Sequence, residues 1–360
     1  MDDARLLLTR LRAENVRSFA YLDLELGPLT VLVGPNGAGK SNIVALLRYV
    51  RDGMHKGARS ALHMQRGWES FVRRGRDRAI VKCDFNMSDT DMRHVGMIKG
   101  QGSGWLEIST MGVPEYLASF ESGLDADKKP HELVQSIGRG SEVSGQDEGV
   151  SGAREALERI AIYQPESTVL RDRVQRTDSE PSLHEDLSNL GAVLLAIRGT
   201  PFGDELDRAL ALLVDGVTGY AVARAGSTLV PQILYATDDV RDLGLESDGT
   251  IRLVALLAAL YQPIPPSLVV LEEPEMGLHP GVLSALAEII GEASTRMQVL
   301  VTTHSPDLID GFDPEVIRVV EKVNGESVVG RIDPAQRDLI HRRLYQPSDL
   351  MRIEGLVREP

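Results

Sequence analysis

Gly34-Pro35-Asn36-Gly37-Ala38-Gly39-Lys40-Ser41 sets a glycine, four residues and then Gly-Lys-Ser between an apolar run, Leu29–Val33, and a helical pattern from Ile43 to Val50. The chemistry available to such a stretch is phosphate binding. Its glycines let successive backbone N–H groups curl toward an anion at a helix N-terminus, where the peptide dipoles favour negative charge. Asn36, Gly37, Ala38, Gly39, Lys40, Ser41 and Asn42 are then the residues around the phosphates of a bound nucleotide. Lys40 is placed to reach the β- and γ-phosphates and the Ser41 hydroxyl to ligate Mg²⁺.

A second set of chemical groups lies far downstream. The apolar strand Leu268–Leu271 delivers Glu272 and Glu273 at its C-terminal end, where α/β sheets bind ligands. Adjacent strand residues point to opposite faces, so the two acids are expected to divide their work. Glu272 is assigned to Mg²⁺ and Glu273 to activation of the attacking water. His304 closes another buried strand, Val299–Thr303, and is the candidate γ-phosphate contact. Ser247-Asp248-Gly249-Thr250 precedes an apolar helix and reads, on its own, as a capped turn.

The elements that must carry these groups are legible in outline. Leu8–Val16 and Leu22–Leu26 alternate as strands around an Arg17-Ser18-Phe19 interruption, and Gly27-Pro28 turns the chain into the Leu29–Val33 strand. Two strands are expected between Trp68 and Met87, around Arg73-Arg74-Gly75-Arg76, and Arg73, Arg74, Arg76 and Arg78 could bind phosphate or belong to a solvated hairpin. Residues 121–152, rich in Gly, Ser, Asp and Glu, read as a mobile surface loop. A helix is expected from Ala153, a strand at Ile160–Tyr163, and helices over Leu183–Ile197 and Phe202–Val214. Strands around 220–236, a helix ending near Leu260 and another through Val282–Ile290 follow. Asn324-Gly325 marks a hairpin. The expected fold class is α/β with a mixed sheet, flanking helices and an inserted, partly helical lobe. The expected divisions are 1–100 with the phosphate loop, 101–245 as the insert, 246–333 with the acids and the histidine, and 334–360 as a C-terminal tail.

Composition narrows the function. With 42% hydrophobic and 26% charged residues the 360-residue chain is of globular type, and no apolar run approaches the length of a membrane span. Cys83 is the only cysteine, which excludes an intrachain disulfide and a zinc cluster, and its strand pattern points to the core. With no signal-peptide pattern at the N-terminus, a cytoplasmic protein is expected. Net charge is −14, but residues 1–82 hold 15 basic against 8 acidic side chains, and the remainder 24 against 45. That basic third could meet the phosphates of DNA or be a solvated surface.

Taken together, Leu11–Ser41, Ser247–Leu260, Leu268–Pro280 and Val299–Asp310 resemble, in order, the motif blocks of ABC-class ATPases, in particular the stand-alone ATPases related to the heads of SMC, RecF and OLD proteins. The resemblance implies a P-loop ABC-type head that binds and hydrolyses ATP with Mg²⁺. It implies that Arg17 and Ser18 belong to the nucleotide site, and that Ser247, Asp248 and Gly249 are the signature that binds ATP held by a second subunit, so ATP would form a homodimer. Gly277-Leu278-His279-Pro280 corresponds to the D-loop region, and His304 to the switch histidine. Glu272 stands where most of the class has Asp, and Glu246 where a Leu usually precedes the signature. Gln164, after Ile160–Tyr163, is the candidate magnesium-sensing glutamine, or else a loop residue before Pro165. The class suggests coupling to DNA in repair or in defence against foreign DNA. An alternative is an ATP-dependent switch for a partner effector such as a nuclease, since the 56 residues after His304 are too few for an added catalytic domain. A membrane-transporter subunit fits the motifs poorly.

Overall fold

The computed structural model of the chain describes residues 7–76, 78–87, 102–111, 113–123, 155–164 and 182–359. The chain divides into two compact units. The first comprises Met1–Ile160, Glu315–His341 and Leu356–Pro360, and the second Ala161–Pro314 and Arg342–Gly355. Among the described residues no helix is long and apolar enough to cross a membrane.

In the first unit, β1 (Leu7–Val16) and β2 (Phe19–Glu25) form an antiparallel hairpin in register from Arg10↔Glu25 to Val16↔Phe19. Asn15 and Arg17, at the turn, hold left-handed φ of 55° and 49°. β4 (Arg78–Met87) takes the other edge of β1, and β5 (Gly102–Met111) and β6 (Val113–Gly123) continue antiparallel, giving the order β2-β1-β4-β5-β6. Leu8 pairs with Phe85 but Arg10 pairs with Asp84, so Thr9 is an extra residue, a β-bulge. That bulge is why Leu8 and Leu11, three residues apart, are both buried, after which Ala13 resumes the two-residue alternation. Cys83 is buried as expected, and desolvation pushes its thiol up to about 12. On the outer face Arg10 meets Asp23 at 2.5 Å and Arg12 meets Asp84 at 2.7 Å, so two charges of the basic N-terminal third are already paired.

The same unit contains β3 (Leu29–Val33), β13 (Ile317–Val323) and β14 (Glu326–Arg331), in the order β14-β13-β3. β13 runs parallel to β3 and antiparallel to β14, so the arrangement is mixed. Asn324 and Gly325 make the expected two-residue turn with φ of 51° and 82°, the positive values that such a hairpin needs. After the glycine-rich loop, α1 (Lys40–Lys56) buries Ile43, Val44, Leu46, Leu47 and Val50 and ends at Gly57, whose φ is 74°. α2 (Ala58–Met64) follows.

One expectation is corrected here. Trp68–Phe71 is a single helical turn, α3, and not the first of two strands. The edge of β1 is taken by β4, which leaves this segment only the bridge Val16↔Val72 and two flanking bonds, from Arg17 N to Phe71 O and from Arg73 N to Asn15 O. β5 pairs with β4 along its length, and Glu315–Arg331 lies in the first unit. The mobile loop expected at 121–152 lies outside the described residues apart from 121–123, which end β6.

In the second unit, β7 (Ile160–Tyr163), β11 (Leu268–Glu272) and β12 (Gln298–Thr303) lie in the order β12-β11-β7. β11 and β12 are parallel and every residue in both is buried, which is what a covered parallel sheet requires. α4 (Leu190–Arg198) and α5 (Phe202–Leu213) pack on α6 (Asp248–Tyr261), and α7 (Leu283–Ala293) packs on α5 and α6. β8 (Val217–Ala225), β9 (Thr228–Tyr235) and β10 (Val240–Asp242) form a separate antiparallel sheet. Leu183–Asn189 is not helical as expected. There His184 N donates to Asn189 Oδ1 and Asn189 Nδ2 to the Ser182 carbonyl, a local alternative to the helix ladder. Gln262, beyond the end of α6, accepts from Leu183 N at 3.1 Å, and the Tyr163 hydroxyl donates to the Leu183 carbonyl at 2.9 Å. The C-terminal end of the helix that begins at Asp248 is thereby tied to β7, beside Gln164.

Candidate nucleotide site

The glycine-rich loop is held open by features that only glycine supplies. A Cβ on Gly34 would run into the Val320 carbonyl of β13. Gly37 and Gly39 have φ of 76° and 124°. Gly39 stands at the start of α1, no side chain caps that end, and the first turn carries no acid. The N-terminus of a 17-residue helix, with the positive end of its dipole, therefore meets the loop. Lys40 is 5% exposed and donates from Nζ to the carbonyls of Gly34 (2.5 Å) and Pro35 (3.3 Å), so its ammonium lies within the loop. Pro35, Asn36, Gly37 and Ser41 are exposed, and Ala38 and Gly39 are buried.

Residues remote in sequence brace the loop. Ser327 Oγ, on β14, bridges the Ala38 carbonyl at 2.5 Å and Ser18 Oγ at 2.7 Å, and Ser18 Oγ also accepts from Asn42 Nδ2 at 2.6 Å. Ser18 thus supports the loop from behind. Arg17 donates to Gln65 Oε1 at 2.7 Å and to Asn42 Oδ1 at 3.4 Å. Burial, then the neighbouring Arg48 and Arg66, pull its guanidinium below the ordinary value, so a charge is kept partly desolvated beside α1. Arg73 is engaged with Glu326 at 2.5 Å.

The second unit carries the acids and the histidine. Glu272 ends β11 and is 9% exposed. Glu273 has left the strand. Its φ is 46°, and its N–H donates to Thr302 O at 2.9 Å. Glu273 therefore stands on a left-handed turn and not on the pleat expected from sequence. Left-handed backbone in a residue with a Cβ is sparsely populated and costs about 1–3 kcal/mol, and such residues collect at functional sites. His304 Nδ1 lies 3.4 Å from Glu273 Oε1 and 3.6 Å from Glu275 Oε1. Gln164 is exposed at the end of β7.

Ser247 caps α6. Its Oγ accepts from Thr250 N at 3.2 Å and lies 2.9 Å from Thr250 Oγ1. Ser247 and Asp248 are exposed. A Cβ on Gly249 would sit 3.1 Å from the Gly277 carbonyl, so this glycine lets the start of α6 approach the turn after the acids. Glu246 is buried and accepts from the Tyr235 hydroxyl at 2.8 Å. That bond and burial raise the phenol, burial being the larger cause.

Among the described residues no three His, Cys, Asp or Glu side chains converge as a metal cage. Magnesium needs none, since it is held by one or two protein oxygens together with phosphate and water. The hydroxyl of Ser41, the carboxylate of Glu272 and the amide carbonyl of Gln164 are, each by itself, oxygen donors of the kind it takes. Sequence reasoning missed Ser327 and Glu275. The only hint for Glu275 was its place in Glu-Glu-Pro-Glu, and for Ser327 there was none.

A family model described as "AAA domain, putative AbiEii toxin, Type IV TA system" matches residues 135–310, and one described as "AAA domain" matches residues 10–179. The chain is 24% identical over 355 residues to an OLD nuclease of Thermus scotoductus, covering 90% of this chain and 63% of that protein. It is 33% identical over 97 residues to the DNA replication and repair protein RecF of Corynebacterium jeikeium, covering 27% and 21%. The chain thus spans less than two thirds of the curated relatives it matches. Its fold is similar to an SMC head solved with the C-winged helix domain of ScpA (15% identity, TM-score 0.61, 92% of this chain and 99% of that one). It is also similar to an SMC head with an extended coiled coil, solved with the C-terminal domain of ScpA from Pyrococcus furiosus (14%, 0.59, 94% and 99%). The chain thus shares a mixed-sheet α/β fold with SMC heads and is similar in sequence to AAA domains and to OLD and RecF proteins over the spans given.

Proposed function

We propose that the chain binds ATP with Mg²⁺ at the Gly34–Ser41 loop, hydrolyses it with Glu273 as general base, and uses the cycle for DNA-related work. The observation that carries this reading is the start of α1. It is a long helix with no side-chain cap, fronted by glycines in left-handed conformations and by a buried lysine. Such an end is an anion site, and Lys40 adds the positive charge.

In this reading Asn36–Asn42 embrace the phosphates, with Arg17 and Ser18 behind them. Ser41, Glu272 and Gln164 would hold the magnesium ion, which would supply positive charge against the phosphates. Glu273 takes a proton from the attacking water, and His304 meets the γ-phosphate. Ser247, Asp248 and Gly249 serve the nucleotide of a second copy, so ATP closes a homodimer. The RecF and OLD relatives support a DNA-related role in repair or in defence. The OLD nuclease relative also favours a second reading, an ATP-dependent switch whose effector is a nuclease.

Phosphate release from ATP with Mg²⁺, with and without double- or single-stranded DNA, tests the proposal. DNA is expected to raise turnover, and added salt to weaken the effect as phosphate contacts are lost. Turnover indifferent to DNA at low salt would leave the effector-switch reading ahead, and no turnover in any condition would overturn hydrolysis.

A further inference from the structure

Glu275 lies in the turn beyond β11, and the chemistry above gives it no task. It is 8% exposed. Its Oε1 accepts from the Thr303 hydroxyl at 2.6 Å and from the His304 backbone N–H at 3.1 Å. The same oxygen stands 3.6 Å from His304 Nδ1, and Glu273 Oε1 stands 3.4 Å from that nitrogen. Neither separation is a well-made hydrogen bond. Glu275 Oε2 and His304 Nδ1 are both buried and have no hydrogen-bond partner among the described residues. A carboxylate is a costly way to fill space, since an apolar side chain would do so without a charge to desolvate. Thr303 then passes the arrangement on, because its Oγ1 accepts from Ser305 N at 2.9 Å, and Ser305 caps the short helix Pro306–Ile309.

We propose that Glu275 is a positioning residue for His304, holding the end of β12 and drawing the Nδ1 side of the imidazole inward so that the opposite edge, with Nε2, is the one presented to the γ-phosphate. A ring nitrogen that faces two carboxylate oxygens carries a proton, because its lone pair would be repelled by both. His304 is 41% exposed although Nδ1 is buried, so the exposure belongs to the rest of the ring. A small rotation of the ring toward Glu275 would close the Nδ1–H bond and satisfy the orphaned nitrogen. Carboxylates fix the tautomer and orientation of metal-bound histidines in the same way. The role rests on the reading of His304 as a phosphate contact.

Glu275→Gln keeps the size and one acceptor oxygen but removes the charge. Turnover is expected to fall about 10–100-fold, as when such outer carboxylates are lost elsewhere, with KM for ATP nearly unchanged. The double variant Glu275→Gln/His304→Gln should be no slower than His304→Gln alone. Wild-type turnover in Glu275→Gln, or losses that multiply independently, would overturn the role. A readout free of catalysis separates this failure from failure of the proposed function. In ¹⁵N-histidine spectra of the full chain, the His304 ring signals are identified by their loss in His304→Gln. They should move in Glu275→Gln while the other histidines stay in place. If the wild type proves inactive, these spectra still decide: unmoved His304 signals refute the role. If Glu275→Gln does not fold, Glu275→Asp, which draws the carboxylate back by one methylene, should move the same signals, and their constancy there counts equally against it.

Discussion

Gly39→Ala isolates the geometry of the phosphate loop, because the structure makes two separable demands on that position. Gly39 has φ 124°, outside the range that a residue with a Cβ adopts readily. A strained backbone of this kind costs about 1–3 kcal/mol. An added Cβ would also lie 2.5 Å from Ser327 Oγ, 2.9 Å from Ser327 Cβ and 3.3 Å from Phe19 Cζ. Overpacking of this kind costs about 1–3 kcal/mol. Together these penalise the phosphate-binding loop conformation by about 2–6 kcal/mol. At roughly 1.4 kcal/mol per tenfold, ATP affinity should fall by about 30-fold or more. The loop has other conformations to adopt, so the loss should appear in calorimetric ATP binding with the circular dichroism spectrum unchanged. Gly39→Ala/Ser327→Gly removes the clash and leaves the backbone cost, so part of the affinity should return. Wild-type affinity in Gly39→Ala would refute the reasoning, and no recovery in the double variant would refute the part assigned to Ser327.

Two further outcomes follow from the acids and from the start of α6. Glu273→Gln should bind ATP but turn over about 10²–10⁴-fold more slowly, the usual effect of losing a general base, as measured by phosphate release; full activity would mean that another group activates the water. In that slowed background, light scattering should show monomer without nucleotide and dimer with ATP and Mg²⁺. Ser247→Arg should abolish the dimer while sparing ATP binding, and Ser247→Ala, which loses only the cap and about 1 kcal/mol, serves as its control. A dimer that forms without nucleotide and ignores the arginine would place the association on another surface.

What the sequence discloses is local chemistry. The glycine-rich loop is legible because strand, loop and helix are consecutive, and each glycine has a conformational reason to be there. The β1–β2 and β13–β14 hairpins and the buried strands β11 and β12 are legible for the same reason, since period and turn residues lie within a few positions of one another. What was missed depends on partners far away in the chain. Ser327 braces Ala38 from 289 positions on, and nothing near Ser327 announces it. Glu275 acquires a task only once β12 brings Thr303 and His304 beside it. β5 is a strand through pairing with β4 and β6 through pairing with β5, and Trp68–Phe71 is not one because β4 occupies the edge of β1. Glu273 was expected on the pleat, and its left-handed φ is set by the bond from its N–H to Thr302 on the neighbouring strand. Glu246 departs from the Leu usual in the class, yet it is buried as a Leu would be, with the Tyr235 hydroxyl satisfying one carboxylate oxygen.

The claim on which the rest depends is that the Gly34–Ser41 loop anchors ATP through Lys40. Calorimetric titration of ATP with Mg²⁺ into the wild type and into Lys40→Ala, matched by circular dichroism, tests it most directly. The expected result is one nucleotide bound per chain in the wild type and none detectable in Lys40→Ala. Equal affinity in the two proteins would contradict it.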